Sequence, residues 1–145
     1  MNRWAAILAA ALAAGGCRQP VIVDTSGAQF IPTPLALENL RTLLPTADVV
    51  GCRVPKAIHE QAEVKEWRID AEAIEFRVTG QAPIRLVFSE ITSTRLERLM
   101  NSWQVRVFTP AQSDPKKDHF YFTWWRSEES ARRAIELIDA LRVKR

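Results

Sequence analysis

Residues 127–142 read SEESARRAIELIDALR, and this stretch decides what the rest of the chain must build. Ser127 stands where an N-cap side chain accepts an orphan backbone N–H. Glu128 and Glu129 fill the first turn, Arg142 and Lys144 the last, so both ends complement the helix dipole. Ala131, Ala134, Ile135, Ile138 and Leu141 recur at helical spacing and make one apolar stripe. Outside the stripe, Glu128–Arg132, Glu129–Arg133 and Arg132–Glu136 are spaced to pair at i+4. A helix of this kind must lay its stripe on a sheet or across a barrel mouth.

Upstream, from Asp48 to Trp125, β-branched and aromatic residues come in short runs between turn-like breaks. Strands are expected at Val49–Val54, 64–70, 74–78, 84–88, about 93–100, 104–109 and 120–125. Alternation is clearest in Trp103, Val105 and Val107 and in Phe120, Phe122 and Trp124. Period two puts each set on one face, as an antiparallel sheet with one buried side requires. Residues 94–100 also fit one or two helical turns and are read as strand. Met100-Asn101-Ser102 is expected to turn, and Pro110 to Asp118 to form an exposed loop. Before the strands, Thr33-Pro34 offers an N-cap and a first-turn proline. Ala36, Leu37, Leu40, Leu43 and Leu44 share a helical face, which Pro45 ends.

The chain has 145 residues and opens with Arg3 ahead of an apolar run from Trp4 to Ala14. That run is too short to span a bilayer, which takes about 20 apolar residues, and it has the layout of a removable export signal. Ala14-Gly15-Gly16-Cys17 resembles the lipobox of bacterial lipoprotein precursors, with Ala14 where that family usually has Leu. The resemblance covers the signal alone. It implies cleavage before Cys17, acylation of Cys17 and attachment to a membrane of the bacterial cell envelope, facing the periplasm. Arg18 is not the Asp often linked to inner-membrane retention, which favours the outer membrane. The other reading is an ordinary signal cut after Ala13 that releases a soluble periplasmic protein. With Cys17 acylated, Cys52 is expected to be a small buried hydrophobe; with Cys17 free, a Cys17–Cys52 disulfide becomes possible.

Residues 1–16 are thus expected to be removed, 17–33 to form a lipid-attached tether, and 34–145 to fold as one domain. Val21-Ile22-Val23 in the tether is expected to dock as a short edge strand. Loss of Arg3 leaves 19 Lys and Arg against 17 Asp and Glu, interspersed, which speaks against a nucleic-acid partner.

Ile84-Arg85-Leu86-Val87-Phe88-Ser89-Glu90-Ile91, Trp103-Gln104-Val105-Arg106-Val107, Phe120-Tyr121-Phe122 and the terminal helix resemble small bacterial pleckstrin-homology-like domains in pattern and length. The expected fold is α+β and mainly antiparallel, either a sheet or, as that resemblance implies, a partly open barrel of about seven strands, with an N-terminal helix and a C-terminal capping helix. The family's phosphoinositide sites use clustered Lys and Arg after the first strand. Here residues 55–63 offer Lys56 among Glu60 and Glu63, so headgroup recognition is not expected.

Chemistry-bearing patterns are sparse. His59 and His119 have no partner at ligand spacing, so no metal site is expected. No GxSxG elbow is present, and Ser89 and Ser127 suit sheet and cap roles. Three glycines outside the signal leave no phosphate loop, and no cofactor is expected. Tyr121 and Trp125 are the expected interaction surface, since adjacent Trp124 and Trp125 must face opposite sides of a strand. The chain therefore reads as a non-enzymatic, lipid-anchored binding or scaffold module for another envelope protein. The alternatives are a carrier of a small apolar ligand, a soluble periplasmic protein of other role, and a hydrolase.

Overall fold

The computed structural model describes residues 18–47, 49–54, 57–58, 64–78, 82–110, 119–124 and 127–143. Nine strands lie among them: β1 (Arg18–Val21), β2 (Val49–Val54), β3 (Ala57–Ile58), β4 (Val64–Ile69), β5 (Ala73–Val78), β6 (Ile84–Val87), β7 (Ser93–Leu99), β8 (Ser102–Phe108) and β9 (His119–Trp124). Two helices accompany them, α1 (Thr33–Leu43) and α2 (Glu128–Val143). The strands form a six-stranded sheet in the order β1-β7-β8-β9-β2-β3 and a three-stranded sheet in the order β4-β5-β6. Every pairing is antiparallel.

The α+β, antiparallel-sheet expectation holds, and the alternative of a partly open barrel of about seven strands is corrected. The described strands divide between two sheets, and no ladder joins them. The break follows β6, where Phe88–Glu90 winds into a 3-10 turn and the chain leaves one sheet for the other. The Phe88 N–H is spent on the Glu72 carbonyl, at 2.9 Å. The two strands beyond the expected seven, β1 and β3, are four and two residues long, too short to show periodicity.

Residues 18–33, expected as a tether, are tied into the fold. β1 pairs with β7 from Arg18↔Leu99 to Val21↔Leu96, so the edge strand lies mostly ahead of the Val21-Ile22-Val23 triplet. Val21, Val23 and Ile31 pack against the core, and Ala28 is buried. The Arg132 guanidinium donates to the Ile22 carbonyl at 3.1 Å. Pro20 sits on this outermost strand, where its missing N–H removes a donor that could recruit another strand.

At α1 the first helical residue is Thr33 itself. The N-cap position is Pro32, and no side chain caps the end. Ala36, Leu37, Leu40 and Leu44 are buried, and the chain passes into a 3-10 turn at Leu44–Thr46 as Pro45 ends the α ladder. In α2, Ser127 caps as its position suggests: its Oγ accepts the Ser130 N–H at 3.0 Å. Glu128 pairs with Arg132 at 2.9 Å, whereas Glu136 pairs with Arg133 at 2.6 Å rather than with Arg132. Burial reaches past the expected stripe to Leu137, Asp139 and Ala140. The cause is tertiary: α1 lies against α2, and β7 and β8 lie against it as well. A single core results, shared by α1, α2 and strands of both sheets through Ile74, Phe76, Leu86, Leu96, Val105 and Val107.

Two turns carry testable consequences. β7 and β8 meet with Leu99 opposite Ser102, which leaves Met100-Asn101 as a two-residue loop. Met100 has φ 53°, the only positive φ at a non-glycine among the described residues. Such loops match the strand twist, but the left-handed region costs a bulky residue about 1 kcal/mol or more. Met100→Gly is therefore expected to raise the melting temperature by about 3–5 °C in a thermal scan. In the β4–β5 turn, Asp70 Oδ1 accepts the backbone N–H groups of Glu72 at 2.9 Å and Ala73 at 3.0 Å. These bonds, with smaller help from Arg85 and Arg68, hold its carboxyl below the ordinary 3.8. The stability they add is present above that value and is lost as pH falls through the lower folded value. Urea denaturation should show Asp70→Asn less stable than wild type at neutral pH, by under about 1 kcal/mol for this solvent-facing group. The gap should close as pH falls through the lowered folded value.

Candidate functional site

On β7 and β8, Leu96, Val105 and Val107 point into the core. Alternation then puts Arg95, Glu97, Gln104 and Arg106 on the sheet's other face. Arg95 is exposed, as such a face predicts. The other three are not: Glu97 is 7%, Gln104 8% and Arg106 6% exposed.

These groups form one chain of contacts. Arg106 Nε donates to Gln104 Oε1 at 2.9 Å and lies 3.2 Å from Glu97 Oε2. Arg95 Nη1 lies 3.7 Å from Glu97 Oε1, while its guanidinium carbon stands 5.5 Å from the centre of the Phe108 ring. Among the described residues, the buried Glu97 Oε2 and Arg106 Nη2 find no hydrogen-bond partner. A buried ion pair whose members keep unused bonding capacity is held by charge alone at those atoms, and burying it costs desolvation energy. It fixes a guanidinium and a carboxylate side by side on the sheet.

Tyr121, expected on the interaction surface, lies in β9 opposite Arg106 on one side and Gly51 on the other. The register thus brings the expected position beside the buried pair, in a row where Gly51 adds no side chain. Trp125 and Cys17 lie outside the described residues, as does His59. His119 pairs with Arg53 and Cys52 with Phe120 along β2–β9. Among the described residues, no three His, Cys, Asp or Glu side chains are grouped to hold a metal ion.

A second polar cluster joins α2 to β7. Asp139, 5% exposed, accepts the Thr94 hydroxyl at 3.1 Å and Arg142 Nε at 2.6 Å, both on Oδ1. Arg142 Nη1 reaches the Thr92 carbonyl at 3.3 Å. The groove beside it, about 270 Å³, is lined by Val21, Thr25, Leu96 and Ile135 among others. These bonds fasten the C-terminal half of the helix to the sheet. A further depression of about 440 Å³ lies between Phe88, Val87 and Leu141.

Sequence reading missed Glu97, Arg106 and Asp139. For the first two a signal existed, since alternation opposite Leu96 and Val105 assigns their face. What it could not assign was the exclusion of water from that face. Comparison with protein-family models, with curated proteins and with solved structures gives no match.

Removing one member of a buried ion pair strands the other charge and typically costs about 3–5 kcal/mol. Glu97→Leu is expected to lose stability on that scale in urea denaturation. Adding Arg106→Met to it should recover most of the loss.

Proposed function

We propose that this chain is a lipid-anchored, non-enzymatic lipoprotein of a bacterial envelope, whose α+β domain is a binding or scaffold module for another envelope protein. The observation that carries the reading is the place of β1 relative to the signal. Cys17 directly precedes β1, and β1 is paired with β7 from its first residue. A cut between Gly16 and Cys17 would leave every described element intact and put the acyl chains at the edge of the sheet. Among the described helices none is long and apolar enough to cross a membrane. Attachment in this reading is by lipid, and two or more acyl chains hold where one is marginal.

The domain is read as a distant variant of the pleckstrin-homology-like arrangement, with antiparallel strands closed off by a C-terminal helix. Its partner surface is read as the strand face to which the sequence assigns Tyr121 and Trp125. Arg18 after the anchor favours the outer membrane.

Intact mass of the protein extracted from membranes tests the anchor. The expected species begins at Cys17 and carries added acyl mass; a processed chain without acyl mass, recovered from the aqueous fraction, overturns it. For the surface, Tyr121→Ala and Trp125→Ala are each expected to keep the melting temperature within a few degrees. Both should reduce in-cell cross-linking to the envelope partner at least tenfold, and unchanged cross-linking in both variants would reject this face.

A further inference from the structure

We propose that the tip of the β7–β8 hairpin, led by Met100, is seated on the bilayer that holds residue 17. The inference rests on the lipid-anchor reading and deepens it, because it assigns the domain an orientation.

Arg18 is paired with Leu99, the last β7 residue before the turn. Directly opposed residues have Cα atoms about 4.5–5.5 Å apart, and consecutive Cα atoms are about 3.8 Å apart. Connectivity alone therefore keeps the Cα of residue 17 within about 10 Å of Leu99. Acyl chains on that residue must enter the hydrocarbon, so its backbone lies at the lipid interface. No spacer is left to lift the domain away, and the hairpin tip must reach the same interface.

The tip has the residue types for that place. Met100 is 70% exposed, one of three large apolar side chains among the described residues exposed to that degree or more. It holds a left-handed conformation that Gly or Asn adopts at far lower cost. A strained, unbranched, apolar residue kept at a solvent-facing turn makes sense where solvent is replaced by lipid. Behind it, Arg98 Nε donates to the Met100 carbonyl at 3.4 Å, and its guanidinium carbon stands 5.5 Å from the centre of the Trp103 ring. Arg98 and Arg18 bring two positive charges and no carboxylate to the last two rows of β1, β7 and β8. That sign suits anionic headgroups. Trp103 is half-buried and lies opposite Trp124, so tryptophan positions fall at this end of the sheet, as at membrane interfaces generally.

The test uses the full acylated protein, carrying Cys52→Ala to leave one reactive thiol, in vesicles of phosphatidylethanolamine and phosphatidylglycerol. A polarity-sensitive fluorophore is placed by Met100→Cys, by Asn101→Cys as a second tip position, or by Glu90→Cys as control. Glu90 is exposed and sits beyond the other end of β7, whose seven residues span roughly 23 Å. Spin-labelled lipid is expected to quench the two tip labels at least threefold more than the label at 90, with blue-shifted emission at the tip alone. Equal quenching at all three positions, or none at the tip, on protein whose mass shows acylation would overturn the seating and leave the anchor standing. A mass without acyl chains would instead remove the anchor, and the seating with it.

Discussion

The burial of α2 between α1 and the strands β7 and β8 is the constraint on which the fold depends. Without that helix, Leu96, Val105 and Val107 would face water on one side, and α1 would lose the surface that receives it. Each large side chain so buried contributes about 1.5–3 kcal/mol relative to exposure. The polar fastenings follow the same logic. Asp139 and Arg142 reach Thr94 and Thr92, and Arg132 reaches the carbonyl of Ile22. One helix therefore fixes both the sheet and the segment that leads into it.

Away from α2, the sheet carries charge where water is scarce. A buried Glu97–Arg106 pair is poor evidence for stability, since an apolar pair of the same shape would often do as well. Arg106 stands in the Tyr121 row itself, and Glu97 stands in the row of Gln104 and Thr123. The two ends of β7 then differ in kind: the Ser93 end is bound to α2 by hydrogen bonds, and the Leu99 end, paired with Arg18, leads into the turn that exposes Met100.

How far these features could be read from the chain depended on whether their cause was local. α2 was readable because Ser127, Glu128, Glu129, the apolar stripe and Arg142 each act within one helix. The strands β7 and β8 were readable from alternation, which also marked the face of Glu97 and Arg106. β1 was not, because Arg18, Gln19 and Pro20 show no alternation and the strand exists only through pairing with residues far along the chain. The added burial of Leu137 and Ala140 was hidden for a similar reason, since it comes from α1 and not from helical period. Division into two sheets depends on the 3-10 turn at Phe88–Glu90, and no turn dipeptide announces it. At the candidate surface, Tyr121 was placed correctly in a strand, but its neighbour Arg106 emerges only from the register.

The position of α2 along the chain has a consequence for how the protein is made. The β1 ladder waits on residues 96–99, and the core face of β7 and β8 is covered only once Glu128–Val143 has joined it. A chain made N-terminus first therefore holds Leu96, Val105 and Val107 uncovered until that helix has been synthesised.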